Sequence, residues 1–363
     1  MNFGLSDEQG LLQDAIRGFL EELTPLDSIR EFAADGNGLQ GQIWHGLIEL
    51  GATGVIIPEQ FGGSALGMFD ATVIMEAIGR TVAPVPYIST AVLAPIALLG
   101  SGSDAQQQDW LNKISAGDVM FGVGLTEATG VRRDAGLKLA GNKLSGKALF
   151  VIDGLKTDQL LLAVGSDTLV MVDANATGIT RNRMNVSDRT RGMAEVLLDQ
   201  VDCELIGAVG SAGETISKMI DAGRIGLAAE SFGAAEILFY RARDYALERN
   251  QFERPIGSFQ SIKHLCAEMI ADLEPCRSLI WYAAYAYDEL PEEASLMACH
   301  AKANTQEVGK MVARSATEIH GGMGFTDLMG LHYWLKRIEL NRQLLGGPEA
   351  TRNEAARLQG LVA

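Results

Sequence analysis

The sequence has 363 residues, of which 47% are apolar and 21% are charged, and its net charge is −16. A chain of this length is too long to fold around a single hydrophobic core, which predicts two or three packed regions. The acidic balance argues against a nucleic-acid-binding protein, which needs clustered Lys and Arg, although a few local arginines can still bind an anionic ligand.

Targeting and redox features predict a cytoplasmic protein. The N-terminus has no basic flank before an apolar core, so we expect no signal peptide, and no apolar run reaches the roughly 18 residues of a membrane span. The cysteines are dispersed and form no disulfide framework: Cys203, Cys266, Cys276 and Cys299. The histidines lack metal-ligand spacing with cysteines or carboxylates, so we expect no metal site.

Residues 5 to about 115 are predicted to be helical. Ser6 and Gln9 form a capping-box pattern, and leucine and isoleucine then recur at helical spacing. A second helical pattern stops at Gly51 and leads into the glycine-rich connection GATGVIIPEQFGGSALG. Two more apolar helical segments follow, and we assign residues 1–117 to an N-terminal helical domain.

The pattern changes twice in the rest of the chain. Short segments rich in Val, Leu and Ile, such as DQLLLAV and TLVMVDA, predict a small antiparallel β-barrel or sandwich at residues 118–211. Long helical patterns then return at about 213–248, 259–289, 292–319, 328–345 and 348–361. Long helices in up-down order with short links predict a four-helix bundle at residues 212–363. The predicted fold class is mainly α with a central β domain.

The segment RNQFERPIGSFQ, residues 249–260, interrupts the long helical pattern. Taken alone, Arg249 is a positive charge at a helix C-terminus, which the helix dipole favours. The longer run ALERNQFERPIGSFQSIKHLCAEM, however, resembles the signature of the acyl-CoA dehydrogenases. That family has Arg-x-x-Phe-Gly, then Pro-Ile and Phe-Gln, at these spacings, and Glu253 here replaces the usual glycine.

Further segments resemble the same family, so that the resemblance covers essentially the whole chain. LIELGATGVIIPEQFGGSALG is similar to its N-terminal helix-turn segment. TEIHGGMGFT is similar to its Gln-x-x-Gly-Gly-x-Gly-Phe/Tyr loop, with Glu318 in the position of the glutamine. LTEATG and KALFVIDG resemble its two flavin-contact strands, although ATGVRRD stands where the family has Gly-Ser-Asp.

The resemblance implies FAD as the cofactor, bound where two chains meet. In this family the Arg-Phe segment reaches a flavin bound mainly by the neighbouring subunit, so Arg249 is expected at the pyrophosphate, whose oxygens suit a guanidinium fork. The other implied FAD contacts are Gln251, Phe252, Gln260, Glu318, Gly321, Gly322, Leu125, Thr126, Phe150 and Ile152. Ile152 replaces a threonine and cannot donate a hydroxyl hydrogen bond. Gly321 and Gly322 also fit a plain helix stop.

The segment IDAGR resembles a helix that touches the acyl-CoA thioester. The implied contacts are Asp221 and Arg224, and the alternative is a surface charge pair at i, i+3.

The family's reaction needs a carboxylate that reaches the α-carbon of the thioester. Its two usual positions fall on Gly346 and Gly223, so both usual bases are absent. Glu230 lies seven residues after Gly223, on nearly the same helix face, and is our predicted base, with a buried structural glutamate as the alternative. Glu349 fits better as a negative charge at the N-terminus of the last helix.

The resemblance predicts an FAD-dependent acyl-CoA dehydrogenase of lipid metabolism. It would desaturate an acyl-CoA thioester between the α- and β-carbons, as in beta-oxidation, and pass electrons to an electron-transfer flavoprotein. We expect a homo-oligomer or a heteromer. The absence of both usual bases resembles the pattern of dehydrogenase subunits that work in heteromeric pairs, including those acting on steroid side-chain thioesters. The alternative is therefore a non-catalytic partner subunit that completes the FAD site of a second chain. An oxidase on the same scaffold is a third option.

Overall fold

The computed structural model describes residues 4–36, 38–130 and 135–362, and the order of its elements is helical, β, helical, as predicted. Most of the segment ATGVRRD, residues 131–134, lies outside the described residues. No helix within the described ranges is both long and apolar enough to cross a bilayer. The division of the chain at residues 117 and 211 stays a prediction.

The N-terminal region is built from α-helices joined by short turns. They are α1 (Asp7–Leu23), α2 (Leu26–Asp35), α3 (Leu39–Glu49), α4 (Met68–Thr81), α5 (Ala94–Ser101) and α6 (Asp104–Ala116). Helix α1 begins with the predicted capping box, because the Gln9 backbone N–H donates to Ser6 Oγ at 3.1 Å and the Ser6 N–H donates to Gln9 Oε1 at 3.0 Å. A turn of π-helix, Ile88–Leu93, leads directly into α5.

The middle region is a β-sandwich. Its elements are β1 (Phe121–Gly124), α7 (Thr126–Thr129), β2 (Gly136–Ala140), β3 (Lys143–Val151), β4 (Gln159–Val164), β5 (Thr168–Asp173), β6 (Ile179–Arg183), β7 (Ala194–Asp202) and β8 (Glu204–Ile206). One sheet has the order β1-β4-β5-β8 and the other β2-β3-β7-β6, and a shared apolar core joins them. The predicted antiparallel sandwich is confirmed, with one exception: β1 pairs in parallel with β4, because the chain passes through the second sheet between them.

Strands β4 and β5 are buried on both faces, which fixes the sandwich against the helices. Leu160 and Val170 point into the core of the sandwich, whereas Leu161 and Met171 belong to the core of the helical regions. Strands that are covered on both sides become nearly continuous apolar runs, as in QLLLAV and TLVMVD.

The C-terminal region contains the longest helices. Its elements are α8 (Gly213–Glu248), β9 (Asn250–Gln251), β10 (Arg254–Pro255), α9 (Gln260–Glu289), α10 (Pro291–His320), α11 (Leu331–Gln343) and α12 (Pro348–Leu358). Helix α8 is apolar around most of its circumference because α9, α10 and α11 pack on it and α4 of the N-terminal region covers a further side. Gly233 permits this last contact, since a Cβ there would lie 2.0 Å from the Glu76 carbonyl oxygen.

Buried charges also join α4, α8 and α9. Arg277 donates to Glu76 at 2.9 Å and to Glu236 at 2.6 Å, and Arg80 donates to Glu236 at 2.7 Å. Burial raises the pKa of Glu76 to about 7, although the charge of Arg277 opposes that shift. The N-terminal helices are therefore held to the bundle by charged as well as apolar contacts.

Candidate flavin site and thioester site

A cavity of about 300 Å³ lies between the β-sandwich and α11. Four predicted flavin contacts line one wall: Leu125, Thr126, Phe150 and Ile152. They meet because Val123 and Ile152 exchange backbone hydrogen bonds of 2.9 and 2.8 Å, which pairs the end of β1 with the end of β3. The Thr126 hydroxyl donates to the Leu149 carbonyl, so this wall is largely apolar.

The opposite wall is formed by α11 and the residues that follow it. Leu340, Gln343, Leu344 and Leu345 line the cavity from this side, and Glu339 is the one carboxylate among the described lining residues. The Glu339 carboxylate is partly exposed and lies 3.4 Å from Lys310 Nζ. The sequence did not predict this wall. Apolar residues at the end of an amphipathic helix look the same in sequence whether they line a cavity or pack in a hydrophobic core.

Leu345, the neighbour of the predicted base position Gly346, lines the cavity. A Cβ on Gly346 would lie 3.4 Å from Arg224 Nη2 and 3.4 Å from Thr351 Cγ2, and neither of these residues lines the cavity. The side chain that does face the cavity from this loop belongs to Leu345. A Cβ on Gly223 would lie 2.3 Å from Leu345 Cδ1. The two positions predicted for a base therefore converge, and Leu345 fills the space between them.

Two basic side chains, Arg224 and Lys302, hold the loop that carries Leu345. Arg224 Nε donates to the Leu345 carbonyl at 3.0 Å, and Arg224 Nη2 donates to Glu354 at 2.7 Å. Lys302 Nζ donates to the carbonyls of Asn341 at 2.6 Å and Arg342 at 3.2 Å, and burial lowers the pKa of Lys302 well below its ordinary value. The backbone of this cavity wall is thus fixed from behind.

Asp221 and Arg224 do not form a surface charge pair, so that expectation is wrong. Both residues are 4% exposed, and Arg224 Nη1 lies 3.8 Å from Asp221 Oδ1. Asp221 accepts a hydrogen bond of 2.5 Å from Ser295, and burial raises its pKa. Neither side chain lines the cavity, and their contact with a thioester stays a prediction.

Glu230 has the surroundings of a structural carboxylate. It is fully buried, and Oε1 accepts from Arg191 at 2.6 Å and from Arg337 at 2.5 Å. Oε2 accepts from Arg191 at 2.8 Å and from Asn341 at 2.8 Å. Glu230 does not line the cavity. These bonds correspond to the alternative left open above, and they remove the reason for which Glu230 was predicted to be the base.

The remaining predicted FAD contacts lie at one end of the helical bundle. Here the ends of α8 and α10 are adjacent, as the stacking of Tyr245 on His320 at 4.4 Å shows. We call this surface, residues 249–260 and 318–328, the bundle end. Its predicted contacts are Arg249, Gln251, Phe252, Gln260, Glu318, Gly321 and Gly322, and none of them lines the cavity.

The groups of the bundle end are open to another molecule. The Arg249 side chain has no hydrogen-bond or ion-pair partner in the described part of the chain, and Phe252 is 86% exposed. Phe252 and Glu253 have φ of +52° and +64° at the tip of the β9–β10 hairpin, where glycine is the favoured second residue. A Cβ on Gly321 or Gly322 would meet no heavy atom within 4 Å, so a ligand can approach the backbone closely.

Comparisons with known proteins identify the family. The sequence profile of the acyl-CoA dehydrogenase N-terminal domain matches residues 6–118, and that of the acyl-CoA dehydrogenase C-terminal domain matches residues 213–359. The chain belongs to the acyl-CoA dehydrogenase family, a family of flavoprotein oxidoreductases.

Individual relatives cover the whole chain. Acyl-CoA dehydrogenase IpdE2 of Mycolicibacterium smegmatis is 28% identical over 99% of this chain and 100% of its own. A chain of the ChsE4–ChsE5 complex of Mycobacterium tuberculosis has a TM-score of 0.90 at 23% identity, covering 100% of this chain and 100% of its own. PigA with FAD and proline has a TM-score of 0.89 at 20% identity, covering 99% of this chain and 100% of its own.

The cofactor of this family member is FAD, and the residues present fit it in two separate places. The apolar walls of the cavity suit a flat ring system, with Phe150 and Leu344 on opposite sides. The unpaired Arg249 guanidinium and the open backbone at Gly321 and Gly322 suit a pyrophosphate. Because no described residue of the bundle end lines the cavity, the predicted FAD contacts of one chain fall on two separate surfaces.

Proposed function

We propose that this chain is the base-lacking subunit of a heteromeric acyl-CoA dehydrogenase and that its bundle end completes the FAD site of a second, catalytic chain. The reaction of the assembly would be α,β-desaturation of an acyl-CoA thioester. One observation carries the proposal: Leu345 packs against Gly223, with Leu93 Cδ2 3.5 Å from the place of a Gly223 Cβ. Apolar side chains thus occupy the position at which the family resemblance expects a base.

The groups of this chain would bind and orient the cofactor. Arg249 would neutralise the pyrophosphate, and Gly321 and Gly322 would let it approach the backbone. A bound FAD would supply the acceptor for the β-hydrogen of the thioester, and an electron-transfer flavoprotein would take up the electrons. The α-proton would leave to a carboxylate of the second chain, since Glu230 is engaged by Arg191, Arg337 and Asn341.

Exposed apolar side chains support a second chain at the bundle end. Phe252 is 86% exposed, Phe325 is 82% exposed and Leu328 is 68% exposed. Grouped large apolar residues at a surface mark an interface with another protein. The solved ChsE4–ChsE5 structure, which has the same fold, is a complex of two differently named chains.

A second candidate is a dehydrogenase that supplies its own base. It is favoured by Glu339, the one carboxylate on the cavity wall of the described chain. Its carboxylate lies 3.4 Å from the Lys310 ammonium, and a carboxylate on the cavity wall is a group of the kind that can accept an α-proton.

The visible spectrum of the chain distinguishes the two candidates. The chain is purified alone and with each acyl-CoA dehydrogenase-family chain of its own genome, and each sample is mixed anaerobically with a panel of acyl-CoA thioesters. We expect bleaching of the flavin band only in a co-purified complex, and we expect Arg249→Ala to reduce the FAD content of that complex.

Bleaching by the chain alone would overturn the partner role. In that case Glu339→Gln separates the remaining possibilities. A fall in rate of roughly 10²-fold or more, with acyl-CoA binding retained, would identify Glu339 as the base.

A further inference from the structure

We infer that Glu230 is a positioning residue, the centre of an interdomain brace that sets the distance between the two cavity walls. The brace is a set of buried polar side chains: Asp188, Thr190, Arg191, Glu230, Arg337 and Asn341. Asp188, Thr190 and Arg191 come from the loop between β6 and β7, Glu230 from α8, and Arg337 and Asn341 from α11. The inference holds whichever chain supplies the catalytic base.

The brace joins one cavity wall to the other through Arg337. Its Nε donates to Asp188 at 2.5 Å, its Nη2 to Thr190 at 2.6 Å and its Nη1 to Glu230 at 2.5 Å. A single guanidinium therefore binds the β-domain loop and α8 at once, with the fixed geometry of its planar fork.

Each end of the brace is next to residues that line the cavity. On the loop, Val186 and Ser187 line the cavity and directly precede Asp188. On α11, Leu340 lies between Arg337 and Asn341 along the chain, and it lines the cavity with Leu344. A movement of the brace would therefore move both walls.

The second arginine secures the same loop to α8. Arg191 donates to both oxygens of Glu230, at 2.6 and 2.8 Å, and Asn341 donates to Glu230 at 2.8 Å. Three nitrogen atoms thus converge on one carboxylate through four hydrogen bonds. Burial alone would raise the pKa of Asp188, but the charge of Arg337 and the hydrogen bonds from Arg337 and Thr190 together hold that pKa below its ordinary value.

Stability alone does not account for this arrangement. Buried ion pairs cost much of their attraction in lost hydration, and apolar residues of similar volume often give equal or greater stability. Arg191 Nη1 and Asn341 Oδ1 are, moreover, buried without a partner among the described residues. Such a network fixes the relative orientation of the elements it joins, because each hydrogen bond restricts an angle as well as a distance.

Hydrogen exchange in the full-length chain tests the brace, with Glu230→Gln as the variant and Glu76→Gln as its matched control. Glu76 is also a buried carboxylate bonded to an arginine, but it lies on α4 and does not line the cavity. We expect Glu230→Gln to speed exchange at least tenfold in residues 184–192 and 337–346, with little change in α1. The control should leave residues 184–192 unchanged.

Thr190→Val keeps the test decisive if Glu230→Gln does not fold. It removes one hydroxyl, which accepts from Arg337 and donates to Asp188. We expect faster exchange in the same two segments and faster trypsin cleavage after the exposed Arg189. Unchanged exchange in residues 184–192, a uniform rise across the chain or the pattern of the Glu76→Gln control would overturn the inference.

Discussion

The cavity and the bundle end each match part of the FAD site implied by the sequence, but they use their polar groups differently. In the cavity walls the Thr126 hydroxyl donates to the Leu149 carbonyl, and the Leu345 carbonyl accepts from Arg224. At the bundle end the side chains of Arg249 and Gln260 have no hydrogen-bond partner in the described part of the chain. Folding of one chain completes the cavity, whereas the bundle end is left for another molecule.

The two regions also differ in how they support backbone with positive φ. Leu345 has a φ of +54°, and its carbonyl is held in place by Arg224. Phe252 and Glu253 have positive φ without such support, at an exposed hairpin tip. A backbone strained by about 1 kcal/mol per residue persists where something compensates for it. At the hairpin tip the compensating contacts would come from a bound partner and cofactor.

The largest effect should come from returning a carboxylate to the cavity wall. Leu345→Glu places one where Leu345 now contacts Gly223, and we expect flavin bleaching by acyl-CoA to rise by roughly 10²–10⁴-fold in a flavin-loaded sample. Leu345→Gln is the control of equal size, since an amide cannot accept the proton. Gly346→Glu should stay inactive because its side chain would point to Arg224. Activity in Gly346→Glu but not in Leu345→Glu would contradict our placement of this wall.

The pH dependence of folding stability should come from Glu76, which lies outside both the cavity and the bundle end. Because folding raises the pKa of Glu76 from 4.5 to about 7, the folded chain binds more protons than the unfolded chain between these values, and stability falls as the pH rises through them. The loss is at most about 3 kcal/mol. Denaturant titrations at pH 5 and pH 8 measure it, and Glu76→Gln should flatten the difference. An equal pH dependence in the variant would show that Glu76 is not its source.

At the bundle end, Arg249→Ala should lower FAD content without loss of helix. A charge-assisted hydrogen bond contributes about 1.5–3 kcal/mol, so we expect FAD affinity to fall roughly tenfold or more. The ratio of flavin to protein absorbance measures this in the co-purified complex. Arg243→Ala is the control, because Arg243 lies near the end of α8, just before Arg249 in the chain, and pairs with Asp244 at 2.7 Å. Full FAD retention in Arg249→Ala would contradict the assignment of the bundle end to the FAD site.

The smallest effect is expected at Gly322. An added Cβ meets no atom of the described chain, so Gly322→Ala should leave the melting temperature unchanged. If the cofactor approaches this backbone closely, FAD affinity should still fall a few-fold because the methyl group occupies its space. Isothermal titration of the FAD-free complex with FAD measures the change. Unaltered affinity would place the cofactor away from this loop.

Much of the architecture was readable because it follows from local patterns. The structure confirms the capping box at Ser6, the β segments of the middle region and the long helices from residue 213 onward. These features depend on periodicity and turn residues, which involve only a few neighbouring positions in the chain. The parallel pairing of β1 with β4 was not readable. It depends on the path of the chain through the second sheet, which no local pattern encodes.

The candidate site divides in the same way. The family resemblance predicted the flavin-contact strands, and the structure brings Leu125, Thr126, Phe150 and Ile152 together around one cavity. Spacing alone could not tell that Leu345, rather than Gly346, faces that cavity. A single residue's difference along an irregular loop reverses the direction of a side chain.

The sequence by itself determined the family, the cofactor class and the order of helical and β regions, because these depend on motifs and periodicities that are local in the chain. Only the tertiary structure shows which residues surround Glu230. In the sequence it is one carboxylate in an apolar helix, but in the fold Arg191 and Arg337 arrive from 39 and 107 residues away and occupy its oxygens. The role of a buried charge depends on its neighbours in space, and for Glu230 those neighbours come from two distant segments.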